Sequence, residues 1–198
     1  MFHQNYCAFH GYTYELTTER LQEGNPIFDK VVVILRWLKR AKEGDIAIWL
    51  DADSLWRRGR FPLVTAFNPQ SMLAMVQMHI GYFNTGVIFI RACPTMLAFF
   101  EQVMTGADPR TRKEISLAGI GIIGPRWQDQ AFVNYELCDG FSHVECQELD
   151  SRFNSFKFQK SKPTGEIIVQ SWHAESLSCQ IDKMKIETAM LPILALPA

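Results

Sequence analysis

Apolar positions fall into helical spacing and then into strand spacing along the first half of the chain. Ile27, Val31, Ile34, Leu35 and Leu38 recur every three or four residues, which predicts a helix with one buried face. Asn25 suits its N-cap, Pro26 its first position, and Lys39, Arg40 and Lys42 its C-terminal end, with Gly44 expected to close it. The run Ile46-Ala47-Ile48-Trp49-Leu50 is apolar throughout, the pattern of a strand covered on both faces. Met72–Met78 and Gly86–Ile90 predict two more strands, and Pro94 opens a helix through Met104 with Leu97, Phe100 and Met104 on one face. Asp108–Lys113 reads as an exposed turn, and Gly119, Gly121, Gly124 and Pro125 as a loop. A short helix over Asp129–Leu137 and strands over Val144–Leu149 and Ile167–Trp172 complete the pattern. Helices mixed with strands predict an α/β fold, with some later strands antiparallel. No linker-like stretch divides the 198 residues, so one domain is expected over 1–198.

Two carboxylates interrupt this pattern. Asp51 and Asp53 follow the strand directly, and alternate strand residues share a face. Open α/β sheets bind ligands beyond the carboxyl ends of their strands. Carboxylates so close repel unless a proton or a cation lies between them. Mg²⁺ and Mn²⁺ prefer oxygen ligands, and such sites often combine one or two carboxylates with substrate phosphates. A capping Asp and a turn Asp on a surface loop would give the same three letters.

Composition narrows the partners. The chain is 47% hydrophobic and 21% charged, the balance of a globular domain, and its formal net charge of −1 lacks the basic face that nucleic acid demands. Its most apolar region, His79 to Met104, is broken by Asn84, Arg91 and Pro94, whereas a membrane span needs about 20 apolar residues in succession. The apolar tail from Met190 is too short to span and reads as a docked or frayed terminus. No terminal stretch has the make-up of a signal peptide. Cys7, Cys93, Cys138, Cys146 and Cys179 are odd in number and scattered, which predicts reduced thiols and a cytoplasmic setting, peripheral to a membrane at closest.

The stretch "IAIWLDADS" resembles the DxD region of GT-A-type glycosyltransferases, in particular the galactosyl/mannosyltransferase family of fungal α-1,2-galactosyltransferases and mannan polymerase subunits. "NYCAFHGYTYEL" (5–16), "IFDKVVVILRWL" (27–38), "FNTGVIFIR" (83–91), "WQDQAFVNYEL" (127–137) and "VQSWHAES" (169–176) are similar to further family stretches in the same order. The likeness spans about residues 5–176 and leaves 177–198 as a tail. It implies a GT-A-like mixed sheet flanked by helices and transfer of a sugar from a UDP- or GDP-sugar to a saccharide, lipid or protein hydroxyl. By the same resemblance Asp51, Asp53 and His173 would hold Mn²⁺ or Mg²⁺, with Asp51 also near the ribose. Lys30, Asn84 and Gly86 would contact the donor, and Asp129 and Gln130 would lie near the reacting carbon or the acceptor hydroxyl. Retention of anomeric configuration is implied by the family alone.

Each residue also has an ordinary structural role available to it: His173 a strand-end hydrogen bond, Lys30 a solvated helix face, Asn84-Thr85-Gly86 a tight turn, Asp129 a first-turn helix carboxylate. Only Met1–Gln4 precede the first matching stretch, too few for the strand and turn that open a GT-A domain. That departure keeps open a GT-A-like remnant that binds a sugar or a partner without turnover. A haloacid-dehalogenase-type phosphotransferase also sets DxD after a strand. Here Leu55 stands where its Thr belongs, and no later acidic pair follows a strand.

Overall fold

A computed structural model describes residues 2–21, 26–51, 54–56, 60–78, 82–108, 128–156, 168–170 and 189–193. In chain order the elements are α1 (Phe2–His10), β1 (Glu15–Leu16), α2 (Asp29–Leu38), β2 (Ile46–Leu50), β3 (Ser54–Trp56), β4 (Leu73–Gln77), β5 (Phe83–Arg91), α3 (Pro94–Thr105), α4 (Gln128–Cys138), β6 (Cys146–Leu149), β7 (Ser155–Phe156), β8 (Ile168–Gln170) and β9 (Ala189–Ile193). Six strands form a sheet in the order β1-β9-β2-β5-β4-β6, and β3, β8 and β7 form a small second sheet. In the main sheet only β4 and β6 run parallel; the remaining pairs are antiparallel. The expected mixed α/β architecture, a mixed sheet flanked by helices, is therefore present.

Period-two alternation sorts the central strands onto two faces. Ala47 and Trp49 of β2, Leu73 and Met75 of β4, and Ile88 and Ile90 of β5 pack with α2, α3 and α4 through Ile34, Phe99, Phe100 and Phe132. The intervening Ile48, Leu50, Ala74, Val76, Val87 and Phe89 face the other way, against Tyr6 and Cys7 of α1, Leu63, Phe67 and Phe153. The apolar run of β2 is thus covered on both sides, as its composition predicts.

Several features depart from the sequence reading. No helix was expected where α1 stands, and α2 starts at Asp29 with Phe28 as its cap, after a 3₁₀ turn over Pro26–Phe28, so Pro26 is not its first position; Asn25 lies outside the described residues. The α2 helix ends at Leu38 with Lys39 as its cap in the right-handed region, so Gly44 does not close it. Gly44 instead takes φ +90° in the turn before β2, where its N–H donates to the Ala92 carbonyl. The apolar tail contains a strand, β9, inserted between β1 and β2. Pro192 is tolerated there because β1 pairs only with Ala189 and Met190, leaving β9 beside Pro192 without a partner on that side among the described residues. Residues 109–127, which contain the glycine-rich loop, and Cys179 lie outside the described residues. Cys7, Cys93, Cys138 and Cys146 are free thiols. Among the described residues no helix is long and apolar enough to cross a membrane.

A further departure shapes the site. Opposite β4, Ile88 pairs with Met75, yet Asn84 pairs with the next residue, Val76, so Thr85, Gly86 and Val87 bulge out of the ladder. A bulge re-aims the side chains beyond it. Val87 and Phe89 belong to the α1 face, whereas Phe83 and Thr85, of the same odd parity, turn to the α4 face.

Candidate functional site

Asp51 stands one residue past β2, its N–H donating to the Gly86 carbonyl at 2.8 Å and its carbonyl accepting from Ser54 N–H at 2.9 Å. It shares the parity of Ala47 and Trp49, so its side chain leaves the sheet on the α2 face. Oδ1 accepts the Trp49 indole N–H at 2.7 Å and pairs with Lys30 Nζ at 2.9 Å. Oδ2 has no hydrogen-bond partner among the described residues.

Lys30 sits in the first turn of α2 and is the hub of the site. Its ammonium also pairs with Asp129 Oδ2 at 2.9 Å and donates to the Thr85 carbonyl at 3.1 Å, with Thr85 Oγ1 at 3.5 Å. An ammonium has three protons, and these acceptors take all of them. Burial alone would lower the lysine pKa. The charges of Asp129 and Asp51 outweigh it and hold Lys30 above its ordinary value, fully charged at neutral pH. Among the described residues, one buried lysine against two carboxylates leaves the cluster with a surplus negative charge.

Asp129, in the first turn of α4, is buried and accepts the Thr85 hydroxyl at 2.9 Å on the same Oδ2. Its place near the helix N-terminus also suits a carboxylate, so the structural and the clustered roles coincide. Next to it, Gln130 Oε1 accepts Thr85 N–H at 3.2 Å. One turn further, Asn134 brackets Phe83, accepting its N–H at 2.8 Å and donating to its carbonyl at 2.9 Å and to the Gln130 carbonyl at 2.7 Å. Side chains of α4 thereby satisfy the β5 backbone beyond the reach of β2. On the other side of the bulge, Asn84 Oδ1 accepts Gly86 N–H at 2.8 Å and the Asn154 amide.

Of the residues singled out from sequence, Lys30, Asp51, Asn84, Gly86, Asp129 and Gln130 therefore meet at one end of β2 and β5, linked through hydrogen bonds and ion pairs. Asp53 and His173 lie outside the described residues. Among the described residues no group of three His, Cys, Asp or Glu side chains is arranged to hold a metal. Sequence reasoning missed Trp49, Thr85 and Asn134. Trp49 was signalled by its i−2 spacing from Asp51 and Asn134 by its i+4 spacing from Gln130. Nothing local signals that Thr85 turns toward α4.

No protein-family model matches the chain, and no curated protein does. Among solved structures the chain is similar to the galactosyltransferase LgtC in complex with donor and acceptor sugar analogues, at 14% identity and a TM-score of 0.45, over 97% of this chain and 74% of that one. A likeness this remote assigns neither a family nor an activity.

Proposed function

We propose that the chain is a glycosyltransferase that moves a sugar from a UDP- or GDP-sugar to an acceptor hydroxyl of a saccharide, lipid or protein, with Mn²⁺ or Mg²⁺ at the end of β2. The observation that carries this reading is the convergence of Lys30, Asp51, Asn84, Asp129 and Gln130 at that strand end, on the stretches whose order resembles GT-A enzymes of the galactosyl/mannosyltransferase type. Asp51 fits a hard cation: its Oδ2 is without a described partner, its side chain is 27% exposed, and the described residues of the cluster are negative in sum. Asp53 and His173 would complete the ligand set. A bound cation supplies Lewis-acid stabilisation of the charge developing on the departing diphosphate.

The chain's own groups have separate tasks in this reading. Lys30 holds Asp51 and Asp129 at fixed separation, and could pair with phosphate only by giving up one of its protein acceptors. Asp129 places a fixed negative charge beside the sugar, where positive charge develops as the glycosidic bond breaks. Gln130 Oε1 and Asn84 Oδ1 are tied to the bulge, and their amide nitrogens, which donate to the Met78 sulfur, would turn to a ligand oxygen. Retention of configuration is part of this proposal through the resemblance alone.

The commitment of Lys30 to two carboxylates also suits a sugar-binding domain without turnover. A thermal-shift panel of UDP- and GDP-sugars, with and without Mn²⁺, tests the proposal, and donor hydrolysis separates the two readings. At a hundredfold excess over its Kd the right donor should raise Tm by about 5–10 °C, only with metal, and Asp51→Ala and Asp53→Ala should abolish the shift. Absence of a metal-dependent shift with every donor rejects glycosyl transfer.

A further inference from the structure

Met78 directly follows β4, its N–H donating to the Tyr82 carbonyl at 2.6 Å, and its side chain is half-buried. Two amide groups converge on its sulfur: Asn84 Nδ2 at 3.9 Å and Gln130 Nε2 at 3.8 Å. The orientation of each amide is set by other bonds. Asn84 Oδ1 accepts from Gly86 N–H and from Asn154 Nδ2, and Gln130 Oε1 accepts from Thr85 N–H. Turning either amide over would set donor against donor, so both NH₂ groups stay aimed at one point. A thioether is a weak acceptor, yet it is the one these two groups meet among the described residues. Buried donors ordinarily find a strong acceptor, and Asn84 is only 2% exposed.

The pair is therefore preorganised for an oxygen atom, and sulfur covers it. The charge nearby says which oxygen. Among the described residues Asp129 and Asp51 outnumber Lys30, so with no cation bound an anionic oxygen would be repelled and a neutral hydroxyl or carbonyl favoured. Methionine suits a cover that must yield, because its unbranched chain has three rotatable bonds and repacks at low cost.

We propose that Met78 is a specificity-determining cover over a two-amide subsite for a sugar hydroxyl, moving aside when the hydroxyl oxygen takes its place between Asn84 Nδ2 and Gln130 Nε2. The sugar class rests on the glycosyl-transfer reading; the subsite itself rests on the amide geometry.

The test compares the wild type with Met78→Leu and Met78→Gln, using D-galactose, D-glucose and D-mannose as probes and the side-chain ¹⁵N amide resonances of Asn84 and Gln130 as readout. In the wild type at least one sugar should move both pairs of resonances together. Leucine keeps the bulk and removes the competing acceptor, so the Kd of that sugar should fall by about three- to tenfold, the worth of one weak hydrogen bond. Glutamine presents a strong carbonyl acceptor to the same donors and should raise Kd by about the same factor. The proposal is overturned if no sugar moves either amide, if the three proteins bind with equal affinity, or if both substitutions shift Kd in the same direction. Failure of the glycosyl-transfer reading looks different: nucleotide-sugars give no metal-dependent stabilisation while free sugars still move the amides, a result that upholds the subsite.

Discussion

Replacing Lys30 by methionine keeps the aliphatic stem and deletes the ammonium between Asp51 and Asp129. The lysine side chain is 12% exposed, that of Asp129 8% and that of Asp51 27%. Removing one partner of a buried ion pair costs about 3–5 kcal/mol, because the charge left behind is uncompensated. Water reaches Asp51 and screens part of this, which favours the lower end, about 3 kcal/mol. For a domain of this size that is a fall in Tm of about 6–12 °C, measurable by calorimetry or circular dichroism. Adding Asp129→Asn to Lys30→Met should recover part of the loss, since the second change removes an orphaned charge. The pH dependence follows from the raised lysine pKa. A raised folded value means the ammonium stabilises fully below the unfolded value of about 10.4 and loses that contribution as pH climbs toward the folded one. The gap between wild type and variant should thus stay flat from about pH 6 to 9 and narrow above about pH 10.5. A gap under about 1 kcal/mol, or a double variant that loses the sum of the two single losses, would refute the account.

Asn134→Leu conserves approximate volume but leaves Phe83 N–H and C=O without their side-chain partners; a loss of about 2–3 kcal/mol in urea unfolding is expected, and one below about 0.5 kcal/mol would show that water replaces the bracket. Burial pushes the Cys7 thiol up to about 12, while Cys138 is exposed. Iodoacetamide at about pH 8 should therefore modify Cys138 first and reach Cys7 only on unfolding, and equal labelling of both by mass spectrometry would contradict the placement of α1.

The parts legible in the sequence are those whose signal is local. Ile46–Leu50 reads as a buried strand because every position is apolar, and the helix from Pro94 is marked by its N1 proline and apolar spacing. The strand β9 was hidden because Pro192 argues against a strand, and only the shortness of β1 makes that proline harmless. The helix α1 mixes aromatic and polar residues without a clean period, so nothing announced it. At the site, Lys30, Asp51 and Asp129 were found through a resemblance between ordered stretches. Their mutual contact was not found, since it joins side chains of α2, the end of β2 and α4, and Thr85 meets them beside a bulge defined by the partner strand β4. Thr85 changes face at that bulge, and register between distant strands is not written in either strand alone.

The insertion of β9 between β1 and β2 bears on how the chain reaches this state during synthesis. Glu15 and Leu16 are made early, yet β9, their strand partner among the described residues, is made after every other described strand. Until then one edge of β2, five apolar or nearly apolar residues long, has no neighbour on that side, and such edges recruit other chains. A sheet closed by so distant a pairing also folds slowly. Removing residues 189–193 should consequently show itself less as altered chemistry at Asp51 than as a rise in aggregation during expression, at the edge the chain seals last.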